Sequence, residues 1–361
     1  MSENRKKPLL FEKFPDLEAN IPWIKLAPLR TPIINLNRLQ EMLGLDSLWL
    51  KQDNLTSPIY GGNKTRKLEF LLADALEKGC PKVMTTGAIG SNHCVANAAF
   101  CNELNLKPVS ALNDQPITTY VRNNLLLELY FKAEIIYSHD REDLQNKIQS
   151  KLKNNPGLYF HGPGGSTPLG ILGFVNAALE LKDQVNNGDI PEPDYIYAAC
   201  GSMGTAAGLT LGIKLAGLKT IIYGIKVSDS PNINSIIKLA KKGLNLLQRN
   251  DKSIPKITYE HLKLDGGYFG DSYGKPTKEC LEAIELLKVM ENVTLEPTYT
   301  GKAMAGLIDN AQKEKLKLKD KTILFWNTYN SQDFSEILNK MDYHDLPKEL
   351  HWVFEKQDLE K

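Results

Sequence analysis

Lys64 is a reactive amine in an odd place. In the run Ile59-Tyr60-Gly61-Gly62-Asn63-Lys64-Thr65-Arg66-Lys67-Leu68-Glu69, a glycine turn opens into a segment that carries Leu68, Leu71, Leu72, Ala75 and Leu76 at helical spacing and meets a stop at Gly79. A cation at a helix N-terminus opposes the helix dipole, so propensity alone does not put Lys64 there. Local rules are broken most often where function requires it. A lone lysine is usually only solvated, and the weight of Lys64 comes from the other groups that could work with it.

The clearest anion site is Ala199-Cys200-Gly201-Ser202-Met203-Gly204-Thr205, an apolar strand that runs into a Gly/Ser/Thr turn and then a helix of small residues. Unpaired N–H groups at such a helix start favour negative charge. Gly201 and Gly204 allow close approach of a phosphate, and Ser202 and Thr205 add hydroxyls. No Gly-Lys-Ser/Thr follows, and the acid expected about 20 residues on in a dinucleotide fold is missing. A purely structural turn is the plain alternative. The second loop, Thr86-Gly87-Ala88-Ile89-Gly90-Ser91-Asn92-His93, can present N–H donors to a carboxylate, with Ser91 and Asn92 as side-chain partners. Ser91 or Asn92 would equally serve as an ordinary N-cap, and His93 reads more readily as a surface histidine than as a base. Tyr273 and Tyr299 each stand near a helix start where a phenol could face a cleft, and Thr328 follows the strand at 322–326 on the carboxyl side of a sheet. Together these parts call for a cofactor with a phosphate, a carbonyl for Lys64 to capture and an amino-acid carboxylate nearby. Pyridoxal phosphate meets all three requirements.

The elements that must position these groups alternate. Strands are expected at 82–86, 107–112, 132–137, 194–200, 219–227 and 322–326, and helices at 92–104, 118–130, 141–153, 169–181, 204–216 and 232–247. Repeated strand–helix–strand units predict an α/β protein with mostly parallel sheets and helices on both faces. Breaks at 60–63 and at His161-Gly162-Pro163-Gly164-Gly165-Ser166-Thr167-Pro168 suggest two domains, as does a length of 361 residues. The polar stretch from residue 333 on is expected to add a helix or two. Basic and acidic residues balance, 44 against 43, so no electrostatic footprint for nucleic acid or an anionic membrane follows. No stretch is long and apolar enough to span a bilayer, and residues 1–7 are polar with no apolar signal segment behind them. The five cysteines form no CxxC pair, which predicts buried thiols, no metal site and a cytoplasmic location.

Four runs in this order, GGNKTRKLEFLLADAL, GAIGSNH, GSMGTAAGL and EPTYTGKAMAGL, resemble the fold-type II pyridoxal-phosphate enzymes, and within them the 1-aminocyclopropane-1-carboxylate deaminase/D-cysteine desulfhydrase family. The resemblance spans roughly residues 28–328. It implies two open twisted sheets of the tryptophan synthase β-like type, with a small mobile domain (67–174) inserted in a large cofactor-binding domain (1–66 and 175–361), and a homodimer. It implies that Lys64 carries the cofactor, that Asn92 bonds its ring oxygen, and that Gly201, Ser202, Met203, Gly204 and Thr205 hold its phosphate. Ser91 with the backbone around Asn92 and His93 would take the carboxylate of a small amino-acid substrate. Tyr273 and Tyr299 match two active-site tyrosines, and Thr328 would face the pyridine nitrogen.

Position 300 separates the two activities. The deaminases have a glutamate directly after the second tyrosine, near the pyridine nitrogen; this chain has Thr300, as the desulfhydrase branch does. A threonine cannot hold the charge that keeps the ring protonated, and β-elimination needs less from that ring than opening a cyclopropane does. The expected activity is therefore a D-cysteine desulfhydrase giving pyruvate, sulfide and ammonia. The alternatives are the cyclopropane deaminase, a lyase for another β-substituted amino acid, and a cofactor-binding protein of reduced chemistry. Three places depart from the family pattern: Gly90, Val95, and the pair Tyr329-Asn330, which replaces two glycines and is expected to set bulk beside the cofactor ring.

Overall fold

The computed structural model describes residues 7–28, 30–313 and 317–356. The polar residues 1–6 and the tail end 357–361 lie outside the described residues. The strands are β1 (Ile33–Asn35), β2 (Ser47–Lys51), β3 (Lys82–Ala88), β4 (Lys107–Asn113), β5 (Glu134–Tyr137), β6 (Leu158–Phe160), β7 (Tyr195–Cys200), β8 (Ile221–Lys226), β9 (Leu262–Asp265) and β10 (Thr322–Trp326). The longer helices are α1 (Lys64–Glu77), α2 (Asn92–Glu103), α3 (Thr119–Tyr130), α4 (Arg141–Asn154), α5 (Leu172–Asn186), α6 (Gly204–Ala216), α7 (Ile233–Asn250), α8 (Lys278–Glu291) and α9 (Thr300–Gln312).

Two sheets form, one of six strands in the order β1-β2-β10-β7-β8-β9 and one of four in the order β5-β4-β3-β6. Among the described residues only β1 pairs antiparallel, against β2, and the other strand pairs are parallel. Ile323, Leu324, Phe325 and Trp326 in β10 are all fully buried, which is how a parallel strand reads when helices cover both faces. The strands of the smaller sheet all come from the middle of the chain, between β2 and β7. The turns after β3, β7, β8 and β10 therefore lie at carboxyl ends of strands, where open α/β sheets bind ligands.

The elements expected from periodicity form, with α6 and β10 at the expected bounds and the others shifted by a few residues at their ends. Strands β1, β6 and β9 are too short to show an alternation, and β2 hides a fully buried lysine, Lys51. One expectation is corrected. Leu76 is 39% exposed and does not share the buried face of α1, whereas Arg66, Lys67 and Glu69 are buried. The first half of α1 is wrapped on every side because it packs on α5 and on α2 at once. The polar stretch from residue 333 on forms short helices, Ser335–Leu338 and Trp352–Glu355. Leu346, Leu350 and Val353 there pack with Val121 and Leu125 of α3, and Arg122 Nε donates to the Val353 carbonyl at 3.0 Å.

Glu128 on α3 is buried against β4, where its Oε2 accepts from Ser110 Oγ at 2.8 Å and its Oε1 has no partner among the described residues. Burial pushes its carboxyl up to about 8, with the Ser110 bond opposing. A carboxyl raised on folding is protonated in the native chain while the unfolded chain has already lost its proton. Its contribution is complete below the unfolded value of 4.5 and is lost as pH rises to about 8. Urea titrations between pH 5 and 8 are expected to show stability falling, with Glu128→Gln removing up to about 1.4 kcal/mol per pH unit of that slope. A variant with the full wild-type slope would contradict this.

Candidate active site

The ends of β3, β7, β8 and β10 and the start of α1 enclose a cavity of about 600 Å³. Lys64, Ser91, Asn92, His93, Gly201, Ser202, Met203, Thr205, Tyr273, Tyr299 and Thr328 all line it, so residues up to 264 positions apart in sequence meet there (Lys64 to Thr328). Lys64 is the first residue of α1, as its turn predicts. Gly61 and Gly62 make the close approach that the turn requires. A Cβ at Gly61 would lie 2.1 Å from the Asn54 carbonyl oxygen, and Gly62 sits at φ +91° with its Cβ position 2.8 Å from the Thr328 oxygen. Lys64 Nζ donates to Asn63 Oδ1 at 2.9 Å, and Asn63 Nδ2 donates to Thr205 Oγ1 at 3.0 Å. Asn63, which sequence reasoning passed over, thus ties the amine to the anion turn. Burial pulls the Lys64 ammonium down to about 8, with Glu296 opposing.

The anion turn has the form a phosphate needs. Met203 sits at φ +69° before α6, a left-handed conformation uncommon for a side chain of this size, and the helix start that follows meets the cavity at Thr205 and Ala206. Ser166 Oγ accepts from the Gly204 N–H at 3.1 Å and donates to Ser202 Oγ at 2.9 Å. The turn that looked like a domain break therefore closes on the anion site. Gly164 there sits at φ +64°, and a Cβ would fall 2.1 Å from Ser202 Oγ. Lys67 Nζ donates to the Gly164 carbonyl at 2.9 Å, and a Cβ on Gly204 would lie 2.6 Å from that same Nζ. Lys67 is a second buried cation beside the turn, held well below the usual lysine range by burial and then by Lys64. Its signal in the sequence was its place three residues after Lys64, one helical turn on.

Asn92 is held by an acceptor count. Its Oδ1 accepts from Tyr60 at 3.0 Å, from Asn124 Nδ2 at 3.2 Å and from Tyr120. The oxygen is saturated, so the Nδ2 group is left to donate into the cavity. Ser91 caps α2, its Oγ accepting from the Cys94 N–H at 3.3 Å, and it also lines the cavity, so its role as N-cap does not remove it from the cavity wall. His93 is corrected: it is 2% exposed, not a surface residue, and its Nε2 lies 3.2 Å from Nδ1 of His161, whose Nε2 lies 3.0 Å from Asn97 Oδ1. Because that oxygen only accepts, the chain of donors runs from His93 through His161 to Asn97. Burial holds both imidazoles neutral, His161 at about 4. Any carboxylate contact from His93 comes from its backbone at the start of α2, where N–H groups lack intrahelical partners.

Tyr273 and Tyr299 join hydroxyl to hydroxyl. Burial pushes Tyr273 up to about 12 and raises Tyr299 well above the ordinary phenol range, so both stay protonated donors. Thr300 does not line the cavity. Its hydroxyl bonds Glu296, whose carboxylate caps α9 by accepting from the N–H groups of Thr298 (2.8 Å), Tyr299 (2.9 Å) and Thr300 (2.7 Å). Glu296 does line the cavity, a buried carboxyl whose pKa burial raises while its donors oppose. Gly90 leaves room for Gln115, whose Nε2 would be 2.7 Å from a Cβ there and whose Oε1 accepts from the Gly90 N–H. Val95 is a core residue. The expectation for residues 329–330 divides. Tyr329 lines the cavity, but Asn330 turns away and accepts from the Gly61 N–H at 2.8 Å. The cysteines are free, four of them buried, and no metal-binding cluster occurs among the described residues.

A turn at a helix start with hydroxyls and a buried lysine beside it, an amide donor fixed at Asn92 and an amine at Lys64 fit the phosphate, ring oxygen and aldehyde of pyridoxal phosphate. The pyridoxal-phosphate dependent enzyme family matches residues 24–328, and the chain belongs to it. It is 36% identical over 324 residues to the D-cysteine desulfhydrase of Serratia proteamaculans (strain 568), covering 86% of this chain and 94% of that protein. It is also 36% identical over 320 residues to a protein of Pyrococcus abyssi (strain GE5 / Orsay) named as a candidate 1-aminocyclopropane-1-carboxylate deaminase, covering 86% of this chain and 92% of that one. The crystal structure of an ACC deaminase homologue superposes with a TM-score of 0.76 at 30% identity, over 96% of this chain and 99% of that one. The chain is thus a fold-type II enzyme that uses pyridoxal phosphate.

Proposed function

We propose that the chain catalyses α,β-elimination on a small amino acid, with D-cysteine and water giving pyruvate, hydrogen sulfide and ammonia. Position 300 carries the choice. The Thr300 hydroxyl is spent on Glu296 and brings no charge to the cavity. The 36% identity to a D-cysteine desulfhydrase supports the same reading. When bound, the cofactor supplies an aldehyde for the amine and a ring that accepts electrons from Cα. Lys64, Asn92, Lys67, Thr328 and the turn from Gly201 to Thr205 are the residues that would hold it. Lys64 Nζ, with a pKa near 8, is suited to take and return the Cα proton. Ser91 and the backbone at Asn92 and His93 would orient the carboxylate. The protonated pair Tyr273–Tyr299 would donate toward the leaving sulfur.

Glu296 favours a second reading. A carboxylate does reach the cavity wall, four residues before Thr300, and it could support the more demanding ring opening of 1-aminocyclopropane-1-carboxylate. Pyruvate and sulfide release from D-cysteine, L-cysteine and β-chloro-D-alanine, with keto-acid release from the cyclopropane substrate, separates the two. Faster turnover of the cyclopropane compound than of D-cysteine sinks the desulfhydrase assignment. The reading further includes a small mobile domain at 67–174, a homodimer and a cytoplasmic location. The separate four-stranded sheet supports the small domain. No helix among the described residues is long and apolar enough to cross a membrane.

A further inference from the structure

Tyr329 is anchored by its backbone, and its hydroxyl has no hydrogen-bond partner among the described residues. Its N–H donates to Asn327 Oδ1 at 3.2 Å. The carbonyl before it, on Thr328, accepts from the Asn63 N–H at 3.2 Å, and Asn330 after it accepts from the N–H groups of Gly61 (2.8 Å) and Gln332 (3.1 Å). Gly62 presses on the same segment, with its Cβ position 3.2 Å from the Tyr329 carbonyl carbon. These contacts lock Tyr329 to the turn that carries Lys64, so its side chain is aimed rather than free to swing.

The ring packs on Tyr120, with centroids 6.0 Å apart and planes tilted by 52°. Tyr120 donates to Asn92 Oδ1, which places Tyr329 in the corner of the cavity that Asn92 faces. The other phenols of the cavity region have partners: Tyr60 and Tyr120 on Asn92, Tyr273 and Tyr299 on each other. The Tyr329 hydroxyl makes no hydrogen bond to the described residues. Burial raises its pKa, with Glu296 adding to the effect, so it is a proton donor across the working pH range. Tyr329 is half-buried and lines the cavity, so its hydroxyl is a donor that a bound ligand can use. Asn92 offers only its Nδ2 donor here, and both it and Tyr329 line the cavity and contact Tyr120, so an oxygen bound beside the Asn92 amide is the natural acceptor for the phenol.

Resting on the pyridoxal-phosphate reading, we propose that Tyr329 contacts the cofactor, its phenol donating to the ring oxygen beside the Asn92 amide. A donor on that oxygen stabilises its anionic form. Removing the donor makes the oxygen hold a proton more tightly, so the titration midpoint of the visible band moves up. Tyr329→Phe keeps the ring contact with Tyr120 and deletes only the hydroxyl. Measured on the holoenzyme without any amino acid, the variant is expected to bind pyridoxal phosphate roughly 3- to 10-fold more weakly, as suits one hydrogen bond. The midpoint of its visible band should rise by roughly half a pH unit, with the melting temperature unchanged. An unmoved midpoint overturns the proposal, whether affinity is unchanged or falls together with melting temperature as a packing role would have it. Because no substrate is present, failure here leaves the elimination standing. A wild-type protein inert toward D-cysteine would sink the elimination and leave Tyr329 untouched.

Discussion

Lys64→Ala is expected to fold, to lose the visible absorbance of the bound cofactor, and to turn over its substrate roughly a thousand-fold more slowly or worse. Folding should survive because the side chain gives the fold little: its amine makes one hydrogen bond, to Asn63, and burial already disfavours its charge. Cofactor should still bind, since Ser202, Thr205, Ser166 and Lys67 are untouched, but as the free aldehyde with its own spectrum and weaker retention on dialysis. The rate loss reflects two jobs at one atom, capture of the aldehyde and transfer of the Cα proton. The wild-type amine supplies a companion test. With a pKa of about 8, the rate of cofactor capture by apoprotein should climb as pH rises through that value and then level off. Turnover retained by the alanine variant, with the cofactor loaded, removes Lys64 from the mechanism.

How far the site was legible depended on whether a residue's role is local. Lys64, the turn at Gly201–Thr205 and Ser91 could be read because a helix start, a glycine pair and a cap each leave a signature in adjacent residues. Asn63, Ser166 and Glu296 could not, because each acts on a partner brought to it by the fold. Asn63 bridges to Thr205 over 142 positions, and Ser166 reaches Gly204 over 38. His93 misled for the same reason: its partner His161 lies 68 positions away, at the end of another strand of the small sheet. The α/β class followed from alternation in α6 and β7 to β8, while β1, β6 and β9 hold too few residues to display a period. Leu76 fits the helical period yet faces solvent, since α1 is covered by two layers near its start and by fewer near its end.

The second large effect is expected at Arg66, two residues beyond Lys64 and without any contact to the cavity. Arg66 is fully buried. Its Nε and NH2 grip Asp53 at 2.8 and 2.7 Å, and its NH1 reaches Glu180 at 2.9 Å. Lys51 Nζ bonds Glu180 at 2.5 Å, and Trp326 Nε1 donates to Asp53 at 2.7 Å. Two cations and two carboxylates cancel, and the cluster joins β2, α1, α5 and β10 in one place. Burial alone would raise the Glu180 carboxyl, but the Arg66 and Lys51 charges hold it well below the usual range. Arg66→Met keeps the volume roughly and leaves Asp53 and Glu180 sharing one cation in a buried site. Breaking such a set by removing one member costs about 3–5 kcal/mol, far more than the intact set is worth against apolar residues. Urea unfolding should show that loss, and the double variant Arg66→Met with Glu180→Gln should recover part of it, because the second change removes a stranded charge. Since α1 starts at Lys64, cofactor retention should weaken in the single variant and return in the double one. A loss under about 1 kcal/mol in Arg66→Met, set against the range for broken buried pairs, would mean that the cluster is hydrated and that the placement of Lys64 rests on the glycine turn alone.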